Sequence, residues 1–155
     1  MTAPPSGSKQ LAGFIGKFDP HVARLARNCR TALRKRLPTA HELVYDNYQF
    51  LAIGYSASDR ASDCLVSLAV SSKGVALSFY YGALLPDPGG ILLGSGTQNR
   101  FVRLESAGAL GTPPIETLIR AAVAQADTPL PTHGRGTLTI KSVSAKQRPR
   151  RAARR

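Results

Sequence analysis

The spacing of apolar residues divides the chain into helical and extended stretches. Leu11, Phe14, Ile15 and Phe18 recur at helical spacing and predict a turn or two of amphipathic helix, weakened by Gly13 and Gly16. Asp19-Pro20 is a start signal, a carboxylate at the cap followed by proline in the first helical position. Beyond it, Val22, Leu25, Ala26, Cys29, Leu33 and Leu37 share one stripe on a helical wheel, and Pro38 stops the helix. Strand patterns follow. Residues 41–46 and 48–55 flank a corner at Asp46-Asn47, and a polar loop fills 56–63. Residues 65–71 and 75–81 alternate, with Val75, Leu77, Phe79 and Tyr81 on one face and Ser72-Lys73-Gly74 as the hairpin between them. After a Gly/Pro-rich connection over 82–97, residues 99–105 read as another strand. Thr112-Pro113 opens a second helix whose stripe is Ile115, Leu118, Ile119, Ala122 and Ala126, closed by Pro129 and Pro131. Residues 137–143 alternate as a last edge strand.

This order predicts an α+β two-layer sandwich, an antiparallel sheet of about five strands with two main helices on one face and an added edge strand. A chain of 155 residues suits one domain. Residues 1–8 read as a disordered lead-in, 9–143 as the domain, and 144–155 as a mobile basic tail with little to bury.

Charge sharpens the picture. Twenty-one Lys+Arg against nine Asp+Glu give a net charge of +12. The last fifteen residues hold seven of the basic groups and no acid. Positions 20–37 hold six basic residues and no acid, and Arg24, Arg27, Arg34 and Lys35 fall opposite the apolar stripe. Such a field attracts polyanions. The anion-binding candidates are therefore Arg24, Arg27, Arg34 and Lys35 on the helix and Lys146, Arg148, Arg150, Arg151, Arg154 and Arg155 in the tail. An Arg-, Ala-, Gly- and Pro-rich composition also fits a high-GC coding bias, which would make the basicity generic.

Cys29 and Cys64 form no metal-ligand or disulfide spacing, so two reduced, buried thiols in a cytoplasmic protein are expected. No motif implies a cofactor or a membrane span. His21, His41 and His133 share no ligand spacing. Gly94-Ser95-Gly96 is not a nucleophile elbow, yet its backbone N–H groups suit an anion, with Arg100 close by. Asp59 and Asp63 share a polar loop with Arg60 and read as turn caps. Tyr45, Asp46, Asn47, Tyr48, Tyr81, Asp87, Gly94, Ser95, Gly96 and Arg100, with Tyr80, would form a small-ligand cleft if the strand ends converge beside 82–97; otherwise the tyrosines are core residues.

Several short motifs resemble the YdhG-like domain, a bacterial domain of unknown function. They are Phe18-Asp19-Pro20, Leu37-Pro38, residues 42–48, residues 59–63, Leu85-Pro86-Asp87-Pro88, residues 93–96, Arg100 and Arg103-Leu104, spread over roughly residues 10–127. The resemblance implies a frataxin-like layout, and with it the iron handling discussed for some members of the wider family. A hard cation needs clustered oxygen ligands. The corresponding helix here is wholly basic, which argues against iron. Three readings fit the sequence: a non-catalytic domain engaging an anionic partner such as nucleic acid, a small-ligand binder using the tyrosine cleft, and an enzyme, for which no catalytic constellation is readable.

Overall fold

A computed structural model describes residues 6–153. Helix α1 spans Gly7–Ile15, and the Ser6 hydroxyl caps it by accepting from the Lys9 N–H at 3.2 Å. The expected lead-in therefore gives way to helix at Gly7, because a cap and two buried side chains, Leu11 and Ile15, hold that turn; residues 1–5 lie outside the described residues. Helix α2 spans Pro20–Arg36 and buries Val22, Ala23, Ala26, Cys29 and Leu33, leaving Leu25 half-buried at the stripe's edge. Strands β1 (His41–Asp46), β2 (Leu51–Ser56), β3 (Cys64–Ser71), β4 (Gly74–Phe79) and β5 (Arg100–Leu104) follow, then helix α3 (Pro113–Gln125) and strand β6 (Leu138–Val143). Within these limits no helix is long and apolar enough to cross a membrane.

The sheet order is β5-β4-β3-β2-β1-β6. The first five strands form an antiparallel meander, but β6 pairs parallel to β1. The sheet is thus mixed and six-stranded rather than antiparallel. Alternation identifies a strand without fixing its direction. Here α3 carries the chain back from the β5 edge to the opposite edge, so β6 runs with β1. The entry to β6 is tight, since a Cβ at Gly136 would strike the Ala40 carbonyl.

Strand register builds the core. Val44, Ile53, Leu68, Leu77 and Val102 are successive register partners across five strands, and all are buried. Leu11, Ile15, Val22 and Leu33 from α1 and α2, with Ile115 and Leu118 from α3, join the same cluster. Each such side chain contributes about 1.5–3 kcal/mol on burial. The neighbouring row points the other way: Tyr45, Ala52, Ala69, Ala76 and Arg103 are only half-buried or exposed. Among the described residues, α1, α2 and α3 all pack on the opposite, core-lining face.

Two connections depart from expectation. The strand expected from Tyr48 starts at Leu51, because the Asn47 N–H donates to the Phe50 carbonyl at 3.0 Å and closes a turn that leaves Tyr48 and Phe50 exposed. The tail expected to be mobile is bound to the domain over its described part. Its Ser144 N–H donates to the Asp46 carbonyl and its Arg148 N–H to the Tyr48 carbonyl, both at 2.8 Å. Further on, the Ala152 N–H donates to the Asp19 carboxylate at 3.0 Å. Asp19 sits at the start of α2 as expected, yet its side chain caps the tail and not the helix. Arg154 and Arg155 lie outside the described residues.

Candidate functional site

The residues expected to form a cleft fall at opposite ends of the sheet. Asp46 and Leu51 are register partners at the end where β1 turns into β2, and Tyr45, Asn47 and Tyr48 lie with them. Phe79 pairs with Arg100 at the other end, and Tyr80 and Tyr81 follow it there. The antiparallel meander separates the two strand ends, because β1 and β4 finish at different ends; Tyr45 alone reaches between them, its hydroxyl pushed up by burial and by the nearby Cys64 and Tyr80.

The second group is engaged in local structure. The Arg100 guanidinium donates to the Gly96 and Asn99 carbonyls, so the glycine turn at Gly94-Ser95-Gly96 offers carbonyl oxygen to an arginine, not N–H groups to an anion. The Asp87 carboxylate accepts from the Ile91 and Leu92 N–H groups, each at 3.0 Å, and so braces its own loop. The Tyr81 hydroxyl donates to the Ser62 carbonyl at 2.7 Å. A cavity beside Asp63, Cys64 and Tyr81 has a volume of about 30 Å³, room for roughly one water. Burial pushes the Cys64 thiol up to about 12 and the Cys29 thiol up to about 11, which removes both as thiolate nucleophiles. Asp63 pairs with Arg60 and accepts from Ser58 and Thr128. His41 accepts the Thr137 N–H at 3.1 Å and so ties the entry of β6 to β1. Among the described residues, no three His, Cys, Asp or Glu gather to hold a metal.

Two carboxylates on the helix-facing side of β1 take up cations. Glu42 accepts two hydrogen bonds from Arg30, both at 2.9 Å, and one from the buried Tyr55 hydroxyl at 3.0 Å, with Arg34 at 3.8 Å. Asp46, with no exposed side-chain surface, holds Lys17 at 2.7 Å and Arg150 at 2.9 Å. Burial works to raise the Asp46 carboxyl, but hydrogen bonds from Lys17, Gln147 and Arg150 outweigh it and hold the group below its ordinary value. Arg150, expected among the anion-binding residues, is thus an internal strut. Its guanidinium lies 5.6 Å from the Phe18 ring centroid, and its Nε and Nη1 have no hydrogen-bond partner.

Docking the tail through Arg150 fixes its neighbours on the surface. Lys146, Arg148 and Arg151 are exposed. A groove at this end is lined by Tyr48 and Phe50 from the β1–β2 turn, Lys73 from the β3–β4 turn, and Arg148 and Arg151 from the tail. Tyr48 and Phe50 keep 46% and 37% of their surfaces exposed, and the Arg148 guanidinium lies 5.9 Å from the Tyr48 ring centroid. Arg24, Arg27 and Lys35 are exposed along α2 and, among the described residues, lie in no ion pair. Arg34 is exposed but shares Glu42. Lys73 and Phe50 were not among the sequence candidates. A lone lysine in a hairpin and a phenylalanine read as a strand residue give no signal until the tail is seen to pack beside them.

The chain matches no family model, no curated protein and no solved structure. The YdhG-like resemblance therefore stands on its short motifs alone, and function must be argued from the residues themselves.

Proposed function

We propose that this chain is a non-catalytic polyanion-binding domain, with nucleic acid as the partner. The observation that carries the reading is the joining of three separate segments into one cationic end, where Lys73, Arg148 and Arg151 surround the exposed rings of Tyr48 and Phe50. Cations that meet phosphates release condensed counterions, which gives affinity without base reading. The exposed Arg24, Arg27 and Lys35 of α2 extend the positive surface. A two-layer, frataxin-like layout with an added parallel edge strand accommodates this arrangement, since it leaves the strand ends open to carry the site.

Fluorescence-anisotropy titrations of the full chain with mixed-sequence duplex DNA at several salt concentrations test the reading. Three phosphate contacts at this end contribute roughly −3 to the logarithmic salt slope, and the triple substitution Lys73→Ala/Arg148→Ala/Arg151→Ala should reduce the slope by about that amount. Binding that is insensitive to salt, or unchanged in the triple variant, refutes this site.

A further inference from the structure

The helix-free face of the sheet continues the cationic end. Phe50 lines two adjoining grooves: one holds Tyr48, Lys73, Arg148 and Arg151, the other Phe101 and Arg103. The floor of the second groove is Ala69, Ala76 and Ser78, side chains too small to keep a flat ring away from the sheet. No acidic residue lines either groove. The pairing of ring and cation also recurs. Arg103 lies 5.9 Å from the Phe101 ring centroid, as Arg148 does from Tyr48. Each end of the path thus offers a π-face with a guanidinium beside it.

Resting on the polyanion reading above, we propose that the ligand is single-stranded nucleic acid laid from the Tyr48–Arg148 end across the open sheet face, with unpaired bases stacked on Phe50 and Phe101. Register sets the length of that path. Phe50 adjoins β2 and Phe101 lies on β5, three strand spacings away and four residues along, which gives a diagonal of roughly 19 Å. A flexible single strand can place one base on each ring while its phosphates meet Lys73, Arg103 and Arg148. A duplex cannot, because its bases are stacked on one another and expose only their edges in the grooves. Base–aromatic stacking is tolerant of sequence, so the site carries no base code.

The test compares labelled single strands of about 12 nucleotides, a length single-strand binders cover, with the matched duplex and with inorganic polyphosphate. Phe50→Ala and Phe101→Ala should each weaken single-strand binding by roughly 5- to 100-fold, and Phe101→Ala, which lies outside the cationic end, should leave duplex and polyphosphate binding unchanged. The chain has no tryptophan, so Phe50→Trp supplies a unique fluorophore. Its emission should be quenched by the single strand and not by polyphosphate, and this reading decides the matter if Phe101→Ala fails to fold. Salt-dependent binding in which the alanine variants match the wild type and the tryptophan emission stays constant overturns the stacking proposal while the polyanion reading stands. No binding of any nucleic acid at low salt overturns both.

Discussion

Asp46 is the point at which the tail is fastened, and its removal should have an unequal effect from its two sides. In Asp46→Ala, Lys17 turns to water easily, since 41% of its side chain is already exposed. Arg150 has no such freedom, with 4% of its side chain exposed. An unpaired buried charge costs about 3–5 kcal/mol, unless the tail undocks and lets the guanidinium reach water. Undocking limits the loss to about 3 kcal/mol, the worth of the two charge-assisted hydrogen bonds that Asp46 accepts. For a chain of this size that lowers the Tm by roughly 6–12 °C. Arg150→Ala should cost less, about 1–2 kcal/mol, because Asp46 keeps Lys17, because the half-buried Asn47 carbonyl that also loses a donor can take water instead, and because Nε and Nη1 have no hydrogen bond to lose. The double variant should resemble Asp46→Ala alone, a coupling of about 1–2 kcal/mol. Urea melts give the energies, and trypsin reads the tail directly: cleavage after Lys146 and Arg151 should accelerate in both variants. Equal and additive losses, or a tail no more sensitive than in the parent, would refute the strut.

The same carboxylate predicts a pH dependence. Its folded value lies below the ordinary one, so the unfolded chain binds the proton more readily. The stability it contributes is present above about pH 4 and is lost as the pH falls through the lowered folded value. Part of the acid-side slope of a stability curve should therefore be missing in Asp46→Asn, and an unchanged slope would exclude this origin. Arg24→Glu and Arg27→Glu break no internal ion pair, so each should shift stability by less than about 0.5 kcal/mol while weakening nucleic-acid binding in anisotropy titrations. In Gly136→Ala the new methyl meets the backbone of Ala40 instead of a yielding side-chain tip, and a loss of about 2–4 kcal/mol with release of β6 should appear as a lowered urea midpoint and faster amide exchange in β1. Cys29 and Cys64 should react with an aromatic disulfide reagent at pH 8 only at the rate of opening, and rapid stoichiometric labelling of the folded chain would contradict their burial.

The elements that proved legible were those whose pattern is local. Asp19-Pro20 and Thr112-Pro113 mark the starts of α2 and α3, and the alternation of Val75, Leu77 and Phe79 marks one face of β4. Illegible features depend on a partner distant in sequence. Arg150 looks like any other tail arginine until Asp46, 104 residues earlier, is known to be buried beside it. Arg100 and Gly96 suggest an anion cradle by proximity, and only the direction of the Gly96 carbonyl reverses that reading. Both tyrosine groups lie at strand ends, but which end depends on the count of antiparallel turns between them.

The burial pattern also changes how the net charge should be weighed. Among the described residues, seven cations, Lys17, Arg30, Arg34, Arg36, Arg60, Arg120 and Arg150, face four carboxylates, Glu42, Asp46, Asp63 and Glu116, in ion pairs. Two of those carboxylates, Glu42 and Asp46, are buried, and Asp87 and Asp19 accept backbone N–H groups. Pairing leaves the net charge of +12 unchanged, so the field an approaching polyanion meets is set by where the unpaired surface cations cluster. Docking the tail concentrates it further. A free tail would spread Arg148 and Arg151 through a large volume, whereas Arg150 seated on Asp46 holds them beside Lys73 and two exposed rings. Part of the ordering entropy of binding is then met during folding, and preorganisation of this kind raises affinity without adding a contact. Asp46→Ala should therefore weaken nucleic-acid binding although Asp46 faces away from it.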